Sequence, residues 1–596
     1  MSEATTDFFF SIPASIVVAS VTLGSEAALI SSATERNWTR LGTPMEKRLT
    51  SRANKTLSTK HIVPVEYFSK HINIDFTQRL IDLAHTNNWN NFSIIKSLAT
   101  QIFKEEGILK KENVKKLLDE HPNNYVDISL AGNFDKNDFD LLGGVYQALL
   151  IEGDRNQKGI YYTNIDVARK LTSQCPNKKN ITFLDPCCGG GIIFKSLKNI
   201  DPNNIYGVDC DEIAVFIAKA NLIRQFKGCE FTPNIYCADY LNPSDEQKKL
   251  PVFNIKFDAI ATNPPWGGIS DLGETFDLFF RKASSHLSSN GIISFLLPNS
   301  VITVATHKDL RNYILNLGES VKITFFDDYF SGVTTKYVAI TSFKKSSNRD
   351  IVVYDHFKDG VLGQTTYSTI KNREDLSFTY INNVDTELLV SIEKVGSQTL
   401  KGSDWALGVV TGDNKRKLSL EKRPFNEPIY TGKEIHRYTL GKPRHFIIFN
   451  RAEMQQAAKD ELYRAKEKLI YRFVSSTLCF AYDDTGALTL NSANILIPRV
   501  DGCSLKTILA LLNSDVLKFY YQKRFGGMKV LKSNLLKLPL PKIDKTTDNQ
   551  LSSLIDACLQ GDSSADQEIQ KIVFSLYKLS KTQQKSIKEQ LYGKID

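Results

Sequence analysis

Short apolar runs alternate with helical patterns between residues 150 and 345. The apolar runs read ITFLD, NIYGVD, FDAIAT, GIISFLLP, VKITFFDD and YVAITSF. Runs of this length, each bounded by turn residues and followed by a helical stretch, are typical of strands joined by crossover helices. The pattern therefore predicts an α/β sheet in the middle of the chain.

The flanking regions have different patterns of apolar and polar residues. Residues 66–120 carry apolar positions at three- and four-residue spacing, which predicts helices. After residue 350 the pattern becomes irregular, with short strands, basic clusters and turns, and the last fifty residues look helical again. We therefore predict a mainly helical domain over 1–140, a catalytic domain over 141–348, a recognition domain over 349–545 and a helical segment over 546–596.

Composition adds few constraints. Of the 596 residues, 42% are hydrophobic and 24% are charged, as in ordinary globular proteins, and the net charge of +9 permits a polyanionic partner without requiring one. The apolar stretch 8–24 follows an acidic segment and contains Pro13, which favours a buried helix or strand over a signal or membrane segment. The nine cysteines are scattered, so we expect no metal site and a cytoplasmic protein.

The first turn of the α/β region reads FLDPCCGGGIIF, residues 183–194. Asp185 directly follows a strand predicted to end at Leu184, and Gly189, Gly190 and Gly191 let the backbone approach a ligand before a helix begins. This pattern indicates a nucleotide-like cofactor, although a purely structural turn has the same composition.

Two further acidic residues follow predicted strands. Asp209 can accept hydrogen bonds from both ribose hydroxyls, and Asp239, with Tyr240 beside it to stack, can accept from an adenine amino group. Asp185 would repel a pyrophosphate, so the combination favours a cofactor with an adenosine and a positive centre, such as S-adenosylmethionine. Taken singly, an acid at a strand end is more often a turn residue or a helix cap.

The sequence ATNPPWGG, residues 261–268, follows the strand-like run FDAIA. The side-chain oxygen of Asn263 and the carbonyl of Pro264 can accept both hydrogens of an exocyclic amino group, which localises its lone pair for attack on a methyl group. Pro264 and Pro265 make this arrangement rigid, and Trp266 offers a flat face on which an extruded base can stack. The alternative is a proline-rich loop with a core tryptophan.

These motifs resemble those of the gamma-class, Taq-type adenine DNA methyltransferases, with the strongest resemblance over residues 140–345. The resemblance implies the Rossmann-like, doubly wound sheet of S-adenosylmethionine-dependent enzymes, with a helical amino-terminal region and a mixed α+β carboxy-terminal recognition domain. GIYYTN, residues 159–164, is similar to the opening motif of the class. The cofactor-binding residues implied are Thr163, Asp185, Gly189, Gly191, Asp209, Asp239 and Tyr240.

The same resemblance implies that Asn263, Pro264, Pro265 and Trp266 form the catalytic motif, with tryptophan where tyrosine or phenylalanine is commoner. FDDYFSGVTTKYVAI, residues 326–340, resembles the motif whose phenylalanine packs against the flipped base, which makes Phe330 the candidate. The resemblance also implies adenine rather than cytosine, because the cytosine-amino enzymes of the family more often carry serine at the head of the motif.

The later region resembles a target-recognition domain for double-stranded DNA. Residues 520–542 carry six Lys or Arg and no acid, with aromatic residues between them. Cations in such a segment grip phosphates without reading sequence, although a solvated cationic face has the same composition. The candidates for DNA contact are Lys523, Arg524, Lys529 and Lys532.

The leading hypothesis is a site-specific adenine-N6 DNA methyltransferase that protects host DNA in a restriction-modification system. The alternatives are a methyltransferase that acts on an RNA base or a protein glutamine, the modification part of a bifunctional restriction enzyme, and a DNA-binding subunit with an inactive cofactor pocket. The first 140 residues contain no convincing nuclease motif. We therefore expect them to contact DNA or mediate dimerisation, and we expect a separate cognate endonuclease as the partner.

Overall fold

The computed structural model describes most of the chain, which divides into two units. The first unit spans Met1–Phe295 with Phe330–Thr334, and the second spans Leu296–Tyr329 with Thr335–Asp596. The domain boundaries drawn from the sequence stay predictions. The structure describes residues 38–40, 61–64, 68–122, 124–138, 140–151, 163–266, 269–270, 273–329, 336–526 and 529–593.

The helical texture predicted for residues 66–120 is confirmed. Several helices of the first unit begin after a polar N-cap residue. For example, the side chain of Asn90 accepts hydrogen bonds from the backbone N–H groups of Phe92 and Ser93. The helices are α1 (His71–Thr86), α2 (Asn91–Glu105), α3 (Glu112–Asp119), α4 (Leu141–Leu149), α5 (Ile165–Thr172), α6 (Glu212–Gln225) and α7 (Thr275–Ser285).

Helix α6 joins the amino-terminal helices to the α/β region of the same unit. Arg224 of α6 donates to the Glu106 carboxylate at 2.8 Å and to the carbonyl of Lys136 at 2.8 Å. The Arg224 and Glu106 side chains are both mostly buried. On the same helix, Phe216 packs against Phe92 with ring centroids 5.2 Å apart. These contacts hold α6 at the edge where the motifs lie.

The predicted α/β sheet is confirmed. In the first unit its strands run parallel in the order β9, β6, β3, β4, β5, and residues such as Leu184 and Ile260 are fully buried. The strands are β1 (Trp38–Arg40), β2 (His61–Val63), β3 (Phe183–Asp185), β4 (Ile205–Asp209), β5 (Asn234–Cys237), β6 (Phe257–Thr262), β7 (Ile269–Ser270), β8 (Gly273–Glu274) and β9 (Leu287–Pro298), with β9 belonging to this unit as far as Phe295.

This topology positions the candidate site. Because parallel strands present their carboxyl ends at one edge of a sheet, the residues that end or follow β6, β3, β4 and β5 lie side by side at that edge. These residues are Asn263, Asp185, Asp209 and Asp239 in that spatial order.

In the second unit, four strands have the order β13, β12, β10, β11, and two four-stranded sheets have the orders β15, β22, β19, β20 and β16, β18, β17, β21. The strands are β10 (Ser320–Tyr329), β11 (Lys336–Phe343), β12 (Ile351–His356), β13 (Gly360–Thr366), β14 (Gly396–Gln398), β15 (Asp404–Ala406), β16 (Leu418–Ser419), β17 (Glu427–Tyr430), β18 (His445–Ile447), β19 (Lys468–Arg472), β20 (Phe480–Asp483), β21 (Leu488–Thr489), β22 (Ala493–Ile497) and β23 (Leu540–Pro541).

Helices complete the second unit, so the predicted mixed α+β character of the carboxy-terminal region is confirmed. The apolar helix Leu505–Leu512 lies in its main core, where Ile508, Leu509 and Leu512 are fully buried. The helices are α8 (Lys308–Leu317), α9 (Tyr367–Lys371), α10 (Asn383–Val395), α11 (Asn414–Lys417), α12 (Asp460–Tyr463), α13 (Leu505–Leu512), α14 (Asp515–Arg524), α15 (Lys532–Leu535), α16 (Lys545–Leu559), α17 (Ser563–Leu576) and α18 (Lys581–Tyr592).

The predicted helical end of the chain corresponds to α16, α17 and α18. Among the residues that the structure describes, no helix combines the length and apolar character needed to cross a membrane. The apolar stretch 8–24 lies outside the described residues.

Candidate active site

Asp185 lies at the carboxyl end of β3 and is 1% exposed. Its Oδ1 accepts hydrogen bonds from the Thr262 hydroxyl at 2.6 Å and from the backbone N–H of Cys187 at 3.2 Å. Burial raises the pKa of Asp185 to about 7, although both hydrogen bonds act in the opposite direction. The site therefore holds a desolvated acid that a nearby positive charge would drive toward its ionised form.

The glycine turn after β3 is hydrogen-bonded to the carboxyl end of β4. The backbone N–H of Gly189 donates to Asp209 Oδ2 at 2.8 Å. Gly191 has φ +81°, and a side-chain carbon there would lie 3.2 Å from the Cα of Ala218 in α6. Glycine at 191 is therefore needed both for the backbone conformation and for the close approach of α6.

Asp209 ends β4 and is partly exposed. Its two oxygens accept from the N–H groups of Gly189 and Asp211, at 2.8 and 3.0 Å. Burial raises its pKa, while these hydrogen bonds oppose the shift. The carboxylate is thus fixed at the sheet edge with its geometry set by the backbone.

Asp239 follows β5 and is exposed. Its Oδ1 accepts from the backbone N–H groups of Leu241 and Asn242, so it also caps the turn that it begins. The sequence left a turn or capping role open as the alternative to adenine binding, and Asp239 does have such a structural role.

Tyr240 occupies the core rather than the sheet edge. It is 2% exposed, and its ring stacks with the rings of Phe253 and Phe279, each with its centroid 5.8 Å away. Its hydroxyl lies 2.7 Å from His286 Nδ1. Because the ring is buried among these neighbours, Tyr240 offers no exposed face to an adenine, and we do not carry its predicted stacking role into the proposed function.

Asn263 and Thr163 meet across 100 positions of sequence. The Asn263 Nδ2 donates to Thr163 Oγ1 at 3.1 Å, and Thr163 is 5% exposed. The Oδ1 of Asn263 is buried and accepts no hydrogen bond within the described residues. An amide anchored through its nitrogen, with its buried oxygen left unpaired, is a preformed acceptor for a donor that is not part of the protein.

The rest of the catalytic motif surrounds this amide. Pro264 is buried, while Pro265 and Trp266 are half-buried. The Cys187 thiol lies 2.9 Å from the Thr262 hydroxyl, which ties the glycine turn to the strand that carries Asn263. Phe330, predicted to pack on a flipped base, lies outside the described residues, as do residues 159–162 of the opening motif.

Sequence reasoning missed several supporting residues. Thr262 bonds Asp185, and Tyr146 of α4 donates to Asp211 Oδ2 at 2.5 Å. Asn221 of α6 links the Gly190 carbonyl, at 2.9 Å, to Asp140 at the start of α4. Thr262 falls inside a motif quoted above, but its partner lies 77 positions away, and the partner of Tyr146 lies 65 positions away. No pattern of neighbouring residues in the sequence indicates such long-range hydrogen bonds.

Across the described ranges, no group of three or more His, Cys, Asp or Glu side chains is arranged to hold a metal ion. The polar groups at the sheet edge are carboxylates, an amide and backbone N–H groups. This set of donors and acceptors suits an organic cofactor with hydroxyl groups and a cationic centre.

Two stretches of the chain match models of known families. Residues 203–331 match the Eco57I restriction-modification methylase, and residues 427–540 match the TaqI-like C-terminal specificity domain. The Type II methyltransferase M.VspI from Vibrio sp. (strain 343) is 30% identical over 318 residues, which cover 50% of this chain and 75% of that methyltransferase. The chain belongs to this family of restriction-modification methyltransferases.

Solved structures support the fold of this methyltransferase. A cryo-electron microscopy structure of a DrdV–DNA complex has a TM-score of 0.53 at 11% identity, covering 86% of this chain and 70% of that one. The Type IIL restriction-modification enzyme MmeI, in complex with DNA, has a TM-score of 0.51 at 14% identity, covering 90% and 96%. At these identities the likeness shows the fold, and the family assigns the chain as a site-specific DNA methyltransferase.

The basic candidates of this methyltransferase fall into two pairs. Lys523 lies 2.7 Å from Asp385, and Arg524 lies 3.5 Å from Glu393, so acids compensate both charges. Lys529 and Lys532 are exposed and lie 5.6 Å from the ring centroids of Phe473 and Trp405. Aromatic faces orient these two ammonium groups without neutralising them, which leaves Lys529 and Lys532 as the better candidates for phosphate contact.

Proposed function

We propose that this methyltransferase transfers a methyl group from S-adenosylmethionine to the exocyclic N6 of an adenine in duplex DNA. The observation that carries the proposal is the amide of Asn263, whose nitrogen is held by Thr163 while its buried oxygen is unpaired. Leaving a buried acceptor unpaired costs about 1–3 kcal/mol, so the arrangement is best explained by a donor that arrives with the substrate.

An adenine amino group supplies that donor. One of its hydrogens is expected to bond the Asn263 oxygen and the other the Pro264 carbonyl, which holds the nitrogen pyramidal and directs its lone pair. Both acceptors follow β6 directly, and the prolines fix φ, so little reorganisation accompanies the reaction. Asparagine at this position, rather than serine, is the residue feature that favours adenine over cytosine.

The three strand-end acids fit the cofactor. Asp209, at the end of β4, would bind the ribose hydroxyls, and the neighbouring Asp239 would accept from the adenine amino group. Asp185 is buried and its pKa is raised to about 7, so a sulfonium or ammonium group nearby would stabilise its ionised form. When bound, S-adenosylmethionine supplies a methyl group activated by the positive sulfur. The turn with Gly189 and Gly191 allows close approach of the backbone.

The base must leave the helix to reach this edge, because a duplex hides the adenine N6. Trp266, half-buried beside Asn263, would then stack on the extruded base. We assign the opposite face of the base to Phe330 on the resemblance alone, since it lies outside the described residues.

We further propose that a separate cognate endonuclease accompanies this methyltransferase in the cytoplasm and that the amino-terminal region contacts DNA or mediates dimerisation. The described part of the amino-terminal region before α4 consists largely of α1, α2 and α3. Within it no strand carries the paired acidic groups that a nuclease site would need. Cleavage by the same chain is therefore not part of the proposal.

The test is expression in a bacterial host that lacks its own DNA methylases, followed by mass spectrometry of the nucleosides from host DNA. N6-methyladenine is expected with the wild-type chain and is expected to be absent with Asn263→Ala, while calorimetry shows that the variant still binds S-adenosylmethionine. Asn203→Ala is the matched control, because this exposed asparagine precedes β4 at the opposite end of the strands. N4-methylcytosine, or no methylated base, would refute the adenine assignment.

A further inference from the structure

The loop 420–426, which joins β16 to β17, exposes a large aromatic side chain. Phe425 is 93% exposed, more than any other large apolar residue for which the structure gives an exposure. A ring exposed to this extent adds little to the packing of the folded chain. The loop ends directly before residues 427–540, the stretch that matches the specificity domain.

The loop has a defined shape rather than a free one. Asn426 Oδ1 accepts from the backbone N–H of Arg423 at 2.8 Å, and its Nδ2 donates to the Glu421 carbonyl at 3.1 Å. The Ser419 hydroxyl donates to the same carbonyl at 2.8 Å. These bonds fix the turn that carries Phe425 at its tip. Binding through the ring would therefore cost little further entropy for ordering the loop.

Phe425 also has a strained backbone, with φ +68°. A bulky residue in the left-handed region is disfavoured, and Gly or Asn would adopt this conformation more readily. A strained, fully exposed phenylalanine is therefore not explained by the stability of the fold. Such outliers point toward function.

Cations are frequent in the sequence around the ring. Residues 415–425 contain five Lys or Arg and one acid, and Lys422 and Arg423 directly precede Pro424 and Phe425. Both cations are exposed, and the contact of Arg423 with Glu421 is a long 3.6 Å between exposed side chains. An apolar tip preceded by two exposed cations is complementary to stacked bases lined by phosphates.

We infer that Phe425 is a wedge that inserts between neighbouring bases of the bound duplex, while Lys422 and Arg423 contact the adjacent phosphates. This inference rests on the proposed function, because it names the substrate contact of the specificity domain. Apolar wedges next to cations unstack a base step and stabilise the deformed duplex. A protein partner would instead call for an apolar contact surface with few charges at its centre.

The test uses a duplex that carries the methylation site mapped in host DNA. Phe425→Ala is expected to raise KM for this duplex about tenfold or more and to leave cofactor affinity unchanged, since base–aromatic stacking carries effects of this size. Phe425→Trp keeps a stacking ring and is expected to retain most of the activity. Leu420→Ala is the matched control, because Leu420 lies on the same loop and is 76% exposed.

Duplexes with 2-aminopurine at successive positions then locate the wedge. The wild-type chain and Phe425→Trp are expected to increase fluorescence at a base step other than the methylated adenine, and Phe425→Ala is expected to lose that signal. Phe425→Gly, which relieves the backbone strain, is expected to melt no lower than the wild-type chain while losing DNA affinity. A loss of DNA affinity without a loss of stability cannot arise from misfolding.

Equal KM and equal fluorescence for the wild-type chain and Phe425→Ala would overturn the inference while leaving the proposed function intact. If the wild-type chain methylates no DNA, the proposed function fails, and binding to a labelled mixed-sequence duplex decides the inference instead. Affinity about tenfold weaker for Phe425→Ala than for Leu420→Ala would support the wedge, and equal affinity would overturn it.

Discussion

Two buried carboxylates in different regions illustrate opposite ways of keeping an acid in the interior. Asp185, at the sheet edge of the first unit, accepts from a hydroxyl and a backbone N–H, and burial raises its pKa to about 7. Asp483, in the specificity domain, accepts from the buried ammonium of Lys468 and from Thr485 and Ala487. Burial acts to raise the pKa of Asp483, but Lys468 and these hydrogen bonds hold that pKa below its ordinary value.

Two asparagines repeat the contrast. Asn513 is fully buried, and its amide both donates to the carbonyl and accepts from the N–H of Phe480, at 2.9 and 3.0 Å. Asn263 has its nitrogen bonded but its buried oxygen unpaired. Asn513 therefore satisfies its amide within the chain, whereas Asn263 keeps one acceptor open at the sheet edge.

The largest test of this contrast is Lys468→Met. The substitution leaves Asp483 buried without its cation, so the free energy of unfolding is expected to fall by about 3–5 kcal/mol. Chemical denaturation measures the change. Lys571→Met, which removes an exposed pair with Glu568, is the control and is expected to cost less than about 1 kcal/mol. Equal effects of the two substitutions would show that the buried pair is not structurally required.

Asp185→Asn is expected to have the opposite outcome. Asparagine can still accept from Thr262 and Cys187, so the free energy of unfolding is not expected to fall. S-adenosylmethionine should bind about 10- to 100-fold more weakly, because a charge-assisted hydrogen bond is lost. Calorimetry measures the affinity, with Asp201→Asn, before the opposite end of β4, as the control. Unchanged affinity would remove Asp185 from the cofactor site.

The raised pKa of Asp185 predicts a pH dependence. The pKa of about 7 in the folded protein lies above the ordinary aspartate value of 3.8, so the cofactor-free protein is expected to lose stability as pH rises from about 4 to about 7. Affinity for a cationic cofactor should increase about tenfold between pH 6 and pH 8 as the carboxyl ionises. Thermal unfolding and calorimetry across this range test both signs. Asp185→Asn should flatten both profiles, and unaltered profiles would assign the dependence to another group.

The smallest expected effects concern the specificity domain. Lys529→Gln and Lys532→Gln should each lower the slope of log affinity for DNA against log salt by about 1. Lys523→Gln should leave that slope unchanged, because Lys523 is paired with the buried Asp385. Fluorescence anisotropy over a salt series measures the slopes. A reduced slope for Lys523→Gln alone would reverse our choice between the two pairs.

The sequence by itself determined the fold class and the placement of Asp185, Asp209, Asp239 and Asn263 at one sheet edge. This was possible because each residue ends or directly follows its strand, and parallel strands bring their carboxyl ends together. The glycine at 191 could also be read locally, since its positive φ is a property of the turn. Short-range patterns carry this information in full.

Only the tertiary structure decided the roles that depend on distant partners. The sequence allowed a stacking role for Tyr240, but its ring is buried against Phe253 and Phe279. It also allowed a DNA contact for Lys523, but Asp385 lies beside that ammonium group. The orientation of Asn263 likewise depends on Thr163. A side chain can bind a ligand only with the hydrogen-bonding groups and ring faces that its neighbours in the fold leave unused. Those neighbours are residues far apart in the sequence, so their identity cannot be inferred from sequence spacing.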